Sequence, residues 1–375
     1  METVKILHCA DLHIGAAQTM LGEKGQTRRF EALITFENIL SLAKENSVRL
    51  ILIAGDLFCS NSVERSAVNR VVECISAIPE IQVVFSAGNH DPYNSSSPFF
   101  NIKLPDNFHI LPDTDSEIYF ENLGTRVYGR SFSDTYMSGE ARFALEANEQ
   151  SINIMCQHGE IKSDLSSNYN SITNEFIENS NMDYIALGHI HKRTEPARRK
   201  NTYFAYSGCA EGSGFDELGD KGVYIGNVGK GVCELEFFKT SLRTHESVEI
   251  DVSNCEDNPA AAEKIIGELK EKYGDGFADN LYKIILTGDI PDGRFFDLGE
   301  ITSRLAQTLY FVKVKDNTEV MHDLEILKAE KSLKGVFVSL MLERIAENPD
   351  NKLLKEALKI GLKAFSSEVG YNEDQ

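Results

Sequence analysis

The sequence lacks paired cysteines, long apolar runs, internal repeats and low-complexity tracts. Its seven cysteines are scattered and none belongs to a CxxC pair, so we expect reduced, mostly buried thiols rather than a disulfide framework or zinc knuckle. No stretch approaches the ~20 apolar residues of a membrane span, and we expect no membrane association. The N-terminus leads directly into motif residues and leaves no room for a cleavable signal, which favours a cytoplasmic location.

Basic residues are also scarce. Lys and Arg number 38 against 58 Asp and Glu, which gives a net charge of −20 and a pI near 4.9. Binding to DNA or to an anionic membrane usually depends on clustered Lys and Arg, so this balance argues against bulk electrostatic attraction to either. It does not exclude a nuclease, because divalent cations cancel local carboxylate charge and a basic partner subunit can provide the contacts to phosphate.

The 375 residues are sufficient for two or three domains, and 42% of them are hydrophobic, enough for a substantial core. Residues 1–240 alternate strand, loop and helix patterns, which predicts an α/β layered fold with ligands at the carboxyl ends of strands. Residues 241–325 show a β-α-β-α-β pattern, and we predict a small second domain there. Residues 326–375 are predicted to form a helical segment. Its last helix carries one apolar stripe, formed by Leu354, Leu358, Leu362 and Phe365.

Histidines and carboxylates are concentrated in short motifs, each directly after a predicted apolar strand. In chain order these are "DLH" (Asp11, His13), "GDLF" (Asp56), "GNHD" (Asn89, His90, Asp91), "QHG" (His158) and "GHIH" (His189, His191). Loops after adjacent strands converge on one face of a sheet, so we expect these side chains to meet. A single motif of this kind is more often an ordinary turn or surface element, but the complete ordered set predicts a metal site.

This mixture of side chains suits the hydrolysis of phosphate esters. Two divalent ions about 3.5–4 Å apart lower the pKa of a bound water and clamp the substrate oxygens. Neutral imidazoles combined with carboxylates suit manganese, iron or zinc, whereas an all-oxygen site favours magnesium or calcium. We therefore predict a site for two divalent ions of the first group.

The ordered motifs resemble those of the calcineurin-like metallophosphoesterase superfamily over roughly residues 1–240. The segments "ILHCADLHIG", "GDLF" and "YIALGHIH" are similar to SbcD-type DNA repair exonucleases, and "GFDELGDKGVYIG" is similar to their YhaO branch. The resemblance implies a layered metallophosphoesterase β-sandwich flanked by helices. It also implies that the β-α-β-α-β domain is a DNA-capping domain followed by C-terminal helices.

The resemblance further implies a cofactor, a substrate and partners. The cofactor is a pair of manganese ions, with iron or zinc as alternatives, and the substrate is double- or single-stranded DNA ends. The helical segment at 326–375 would dock onto the coiled-coil base of an SMC-like ATPase of the SbcC/YhaN type. The apolar stripe on the last helix fits this role, and ordinary packing within its own domain is an equally good account of it. A homodimer is implied as one form of assembly.

The resemblance also assigns a role to each motif residue. It implies that one ion is held by Asp11, His13, Asp56 and His191. It implies that the other ion is held by Asp56, Asn89, His158 and His189. His90 would stabilise the phosphorane or protonate the leaving oxygen, while Asp91 either orients His90 or only caps a turn.

One position departs from the family. Many SbcD-type nucleases have a histidine shortly after "GDLF", where this chain has Cys59. A thiol cannot carry a proton as imidazolium does at pH 7, so exonuclease rate and preference come into question. We expect Cys59 to be a small, semi-buried residue rather than a replacement catalyst. The pair Arg28 and Arg29 could contact phosphate, but we predict that it lies on the surface at the start of a helix.

Three functions stay open on the sequence. The first is a manganese-dependent DNA nuclease that works in DNA repair with an SMC-like ATPase. The second is a phosphodiesterase or phosphatase acting on small nucleotides, which the acidic charge favours. The third is a metal-bound scaffold that regulates an ATPase partner, for which Cys59 is the only support.

Overall fold

The computed structural model describes residues 2–140, 145–163, 167–292 and 294–365. The chain divides into two compact units, Met1–Ser247 with Asp279–Tyr282, and Val248–Ala278 with Lys283–Gln375. The second unit contains the predicted helical segment and most of the predicted capping domain, whose residues 241–247 and 279–282 belong to the first unit. The boundaries at residues 240 and 325 stay predictions. The end of the predicted helical segment, 366–375, lies outside the described residues.

The first unit contains two six-stranded sheets. The first sheet has the order β15-β14-β1-β2-β3-β4, with β1 (Thr3–Cys9), β2 (Leu50–Ile53), β3 (Gln82–Phe85), β4 (Phe108–Ile110), β14 (Gly222–Gly229) and β15 (Val232–Lys239). The second has the order β12-β13-β11-β8-β6-β5, with β5 (Ser116–Phe120), β6 (Thr125–Gly129), β8 (Ile152–His158), β11 (Tyr184–Gly188), β12 (Ala197–Arg199) and β13 (Thr202–Tyr206). A smaller sheet is formed by β7 (Met137–Glu140), β9 (Glu160–Ile161) and β10 (Tyr169–Ile172).

The two large sheets pack face to face, with helices on their outer faces. In β2, Leu52 contributes to the core between the sheets, where it joins Ile154 of β8. Its neighbour Ile53 contributes to the opposite core, which includes residues of the flanking helices α1 (Lys24–Glu45) and α2 (Arg65–Ser76). A strand buried on both faces reads as a continuous apolar run, as "LILI" does. The short helix α3 (Asn174–Asn179) lies on the outer face of the second sheet. The predicted layered β-sandwich flanked by helices is confirmed.

The strands that precede the motifs are parallel within each sheet. β1 pairs with β2 and β2 with β3, all in the same direction. In the second sheet β8 pairs in parallel with β11. Carboxyl ends of parallel strands lie at one edge of a sheet, so the motif loops within each sheet begin side by side.

The predicted β-α-β-α-β pattern is also confirmed. It consists of β16 (His245–Asp251), α4 (Asn258–Tyr273), β17 (Leu281–Thr287), α5 (Leu298–Leu305) and β19 (Phe311–Asp316), with sheet order β16-β17-β19. Helix α4 begins where the Asp257 side chain accepts from the backbone N–H of Ala260, and Pro259 lies in its first turn. A two-stranded sheet pairs β18 (Asp289–Pro291) with β20 (Glu319–Met321).

Three helices follow: α6 (Leu324–Ala329), α7 (Leu333–Glu347) and α8 (Lys352–Phe365). Most of the apolar stripe predicted on α8 faces inward. Leu358 and Leu362 are buried in one cluster with Leu327, Val338 and Met341, whereas Phe365 at the end of the stripe is exposed. Ordinary packing within the unit is therefore the correct account of this stripe. None of the helices in the described ranges has the length and apolar character that crossing a membrane requires.

The prediction for Arg28 was wrong. Its side chain is only 2% exposed, and its guanidinium contacts Glu31 at 2.6 Å and Glu211 at 2.9 Å. A buried cation requires such partners, and Glu211 comes from a distant part of the chain. Arg29 is partly exposed and donates to the carbonyl oxygen of Gly15.

Candidate metal centre

The motif residues occupy the ends of five strands. Asp11 and His13 follow β1, Asp56 follows β2, Asn89 and His90 follow β3, His158 ends β8, and His189 and His191 follow β11. Four of the predicted ligands have left-handed backbones: Asp11 (φ 52°), His13 (φ 46°), Asp56 (φ 52°) and His189 (φ 99°). Non-glycine residues seldom adopt this conformation, and clusters of them are typical of functional sites.

The structure brings the first predicted ligand group together. His13 Nε2 lies 3.1 Å from His191 Nε2, and Asp11 Oδ1 lies 4.0 Å from His191 Nε2. Asp56 Oδ2 lies 3.8 Å from His13 Nε2. Two imidazole nitrogens at 3.1 Å need a proton or a metal cation between them. This arrangement therefore fits a cation.

The second group converges on the amide oxygen of Asn89. His158 Nε2 lies 3.0 Å from Asn89 Oδ1, and His189 Nδ1 lies 3.2 Å from it. The other ring nitrogen of His158 donates to the carbonyl of Ala54 at 2.8 Å, so in the neutral ring Nε2 directs a lone pair at the amide oxygen. Asp56 Oδ2, which faces the first group, lies 3.5 Å from His158 Nε2. A cation fits here too, and Asp56 is placed to bridge the two groups.

The protonation states of His13, His189 and Asp56 suit metal binding, whereas that of His191 does not. Burial lowers the pKa of His13 and of His189 to about 4, so both rings are neutral at pH 7. Burial opposes ionisation of Asp56, but its interactions with the neighbouring histidines and the hydrogen bond from the His90 backbone outweigh burial and lower its pKa. Burial alone would lower the pKa of His191, yet the hydrogen bond to Glu217 raises it to about 9. Carboxylates and neutral imidazoles are the forms that bind divalent metals, so His191 would have to release its Nε2 proton on binding one.

At two positions of this site, neighbouring groups come so close to the backbone that only glycine fits. Gly55 has φ 93°, and a Cβ there would collide with the His158 ring. A Cβ on Gly188 would collide with the carbonyl oxygen of Ala54. Glycine at these positions lets the loop after β2 approach β8 and β11.

His90 lies beside the ligands with an exposed ring. Its backbone N–H donates to Asp56 Oδ1 at 2.9 Å, and its ring packs edge-on against His13 with 4.8 Å between centroids. His90 Nδ1 meets the backbone carbonyl of Cys59 at 3.3 Å. Cys59 is partly buried and unpaired, as expected, and it contacts His90 through its main chain.

Asp91 is buried and connects two motif loops. Its carboxylate accepts from the backbone N–H of Gly88 at 2.8 Å, of Phe58 at 3.0 Å and of Asp56 at 3.2 Å. These contacts hold the loops after β2 and β3 together. The structure shows Asp91 bonded to main-chain groups rather than to the His90 ring, so its influence on His90 passes through the backbone.

Two residues of the site were not identified from the sequence. Glu217 accepts from His191 Nδ1, and the Tyr169 ring lies against His189 with 4.7 Å between centroids. Glu217 lies inside the segment "GFDELGDKGVYIG", so a carboxylate near the last histidine motif was the available signal. Nothing in the local pattern distinguishes Tyr169 from other strand tyrosines.

The model of the calcineurin-like phosphoesterase family matches residues 4–193, slightly more than half of the chain. The chain belongs to the calcineurin-like phosphoesterase family. This confirms the resemblance seen in the motifs, and it makes this calcineurin-like phosphoesterase a metal-dependent hydrolase of phosphate esters.

Curated relatives of this phosphoesterase include several proteins named for double-strand break repair. The uncharacterized metallophosphoesterase YhaO of Bacillus subtilis is 27% identical over 309 residues, which are 78% of this chain and 74% of that protein. The DNA double-strand break repair protein Mre11 of Methanocaldococcus jannaschii is 24% identical over 317 residues, which are 78% of this chain and 84% of that protein. The double-strand break repair protein MRE11 of Oryza sativa subsp. indica is 34% identical over 133 residues, only 18% of its length.

Proposed function

We propose that this phosphoesterase is a DNA nuclease that hydrolyses phosphodiester bonds at DNA ends during DNA repair. The observation that carries hydrolysis of a phosphate ester is the convergence of all seven predicted ligands beside an exposed His90. The match to the archaeal Mre11 protein over 78% of the chain supports DNA as the substrate.

The proposed ligand set follows the two groups of the site. Asp11, His13, Asp56 and His191 would hold one ion, and Asp56, Asn89, His158 and His189 the other. We propose manganese, with iron or zinc as alternatives, because imidazoles and carboxylates together suit these metals. When bound, the ions would supply a nucleophile at neutral pH and neutralise charge on the phosphoryl oxygens.

His90 is the proposed general acid. In the protonated ring, Nδ1–H donates to the carbonyl of Cys59, which leaves Nε2–H for the leaving oxygen. The hydrogen bond from its backbone to Asp56 fixes this ring beside the ligands. Proton transfer by a positioned side chain contributes about 10²–10⁴-fold to rate. Asp91 supports this arrangement by holding the loop that carries His90.

We also propose that the C-terminal helices bind an SMC-like coiled-coil ATPase. Helix α7 exposes Leu333, Val336 and Leu340, and α8 exposes Leu353 and Ile360. The exposed residues are three and four positions apart on α7 and seven apart on α8, a spacing that suits packing against another helix. Leu340→Glu should abolish co-purification with an SMC-like ATPase from the same genome while hydrolysis of a small ester is unchanged. Equal recovery of the ATPase with this variant would refute the docking face.

A phosphodiesterase acting on small nucleotides is the second candidate function. The net charge of −20 favours it, because long-range attraction to a polyanion is absent. The metal centre serves either substrate, so the charge is the specific observation in its favour.

The deciding experiment uses wild-type protein and His90→Asn with manganese. Hydrolysis of end-labelled linear duplex and single-stranded DNA is compared with hydrolysis of bis-p-nitrophenyl phosphate. Degradation of DNA by the wild type and its loss in the variant would support the nuclease. Hydrolysis of the small ester with DNA left intact, even with an SMC-like ATPase and ATP added, would overturn it in favour of the small-nucleotide enzyme.

A further inference from the structure

We infer that Glu217 is a positioning residue for His191 and sets the affinity of one of the two ions. The inference rests on the ligand set proposed above, in which His191 binds the ion shared with Asp11 and His13. It concerns a carboxylate that lies outside all five histidine and aspartate motifs.

The two oxygens of Glu217 have different partners. One accepts a hydrogen bond from His191 Nδ1. The other accepts from the backbone N–H of Ser213 at 2.6 Å and from the Cys209 thiol at 3.7 Å. The Glu217 side chain is 11% exposed. A carboxylate with three donors and little exposure is held in one orientation, and so is the imidazole that it contacts.

The loop that carries Glu217 is itself held in place. The backbone N–H of Glu217 donates to the carbonyl of Gly214 at 3.1 Å, which closes a tight turn. Gly219 N–H donates to the carbonyl of His245 at 3.0 Å, and the Phe215 ring packs edge-on against the His245 ring. Both ends of the turn are therefore fixed, and Glu217 reaches His191 without having to order a flexible loop.

The hydrogen bond has a defined chemical consequence. A proton held on Nδ1 by a carboxylate leaves the Nε2 lone pair of His191 for the metal and makes that nitrogen more basic. His158 in the other ligand group donates instead to the neutral carbonyl of Ala54. Removing Glu217 should therefore weaken the ion at His191 and leave the ion at His158 nearly unchanged.

Manganese binding tests this directly without reference to turnover. Wild type and Glu217→Ala are titrated with Mn²⁺ by equilibrium dialysis, and electron paramagnetic resonance distinguishes single from paired ions. Wild type should bind two ions. In Glu217→Ala one ion should bind about 10–100-fold more weakly, as is typical for loss of a hydrogen-bond partner of a metal-bound histidine, and the other should stay within about twofold of wild type. The unchanged ion also shows that the variant is folded.

Three further variants separate positioning from a general effect. Asp216→Asn changes an exposed carboxylate of the same turn and should bind both ions normally. Glu217→Gln retains an acceptor oxygen and should weaken the ion less than Glu217→Ala. In a His191→Ala background, Glu217→Ala should have no additional effect on manganese affinity, because its only route to the metal has been removed.

Two results would overturn the inference. Glu217→Ala with both affinities within twofold of wild type would show that Glu217 does not orient a ligand. Equal weakening of both ions would show a general structural role instead. A wild type that binds fewer than two ions would instead refute the proposed ligand set.

Discussion

The two halves of the metal centre use histidine in different settings. His191 is 34% exposed and donates to a carboxylate on a loop, whereas His158 is fully buried and donates to a main-chain carbonyl. His158 ends a central strand, while His191 lies beyond the end of β11. The His158 ring is thus oriented by a main-chain group, whereas the His191 ring is oriented by a side chain. Both halves contain two histidines and share Asp56, but we expect the halves to respond differently to substitution.

The largest effect should come from the residue that both halves share. Asp56 Oδ2 faces a histidine of each group, so Asp56→Ala should release both ions. If the ions supply about 6 kcal/mol of transition-state stabilisation, hydrolysis of bis-p-nitrophenyl phosphate falls about 10⁴-fold. Metal analysis after dialysis should find no manganese. Retention of both ions by this variant would contradict the bridging assignment.

A smaller loss of activity is expected from a variant that keeps the proposed ligands of both halves. His90→Asn removes the proposed proton donor but keeps a side chain of similar shape, so both ions should bind as in wild type. The rate of DNA hydrolysis should fall about 10²–10³-fold. Steady-state kinetics at saturating manganese measures this, and a rate near that of wild type would exclude His90 as the acid.

Stability should distinguish the halves in the metal-free protein. His158→Ala leaves a cavity and an unpaired carbonyl at Ala54, whereas His191→Ala removes a partly exposed ring. We expect His158→Ala to lower the free energy of unfolding about 2 kcal/mol more than His191→Ala. Urea unfolding with a chelator present provides the measurement. Equal destabilisation would mean that the two settings do not differ energetically.

The smallest effect concerns a buried histidine outside both halves. His8 accepts from the Tyr184 hydroxyl and donates to the Leu187 carbonyl, and burial lowers its pKa to about 3. Because the unfolded chain takes up the proton first as pH falls below about 6.5, His8 reduces stability towards acid. Between pH 6.5 and 5.5 its contribution should be about 1 kcal/mol.

The contribution of His8 is isolated by comparing wild type with His8→Gln in the metal-free protein, since the other titrating groups are common to both. The pH dependence of the free energy of unfolding should be shallower in the variant. Parallel pH dependences of the free energy of unfolding would show that folding does not change the pKa of His8.

Much of the site could be predicted because its ligands are local to strand ends. Asp11, Asp56 and His158 each follow or end an apolar strand, and parallel pairing brings these ends together. Glu217 was missed because its contact with His191 is made by a loop whose course no local pattern specifies. The partner of Arg28 was missed for a similar reason, since a charge looks exposed until its distant counter-ion is known.

The C-terminal helices show a different limit. An amphipathic stripe indicates that one face of α8 is covered, but it does not say by what. In the structure α7 covers Leu358 and Leu362, and the residues available to a partner are Leu353 and Ile360. Periodicity therefore predicted the helix and its buried face, while the covering element depended on tertiary packing.

The left-handed backbones at the ligand positions have a consequence for evolution. At Asp56, with φ 52°, a glycine would adopt the same conformation with less strain, which costs about 1–3 kcal/mol for other residues. Drift towards a more stable chain would therefore favour glycine at the position where the proposed metal centre needs a carboxylate.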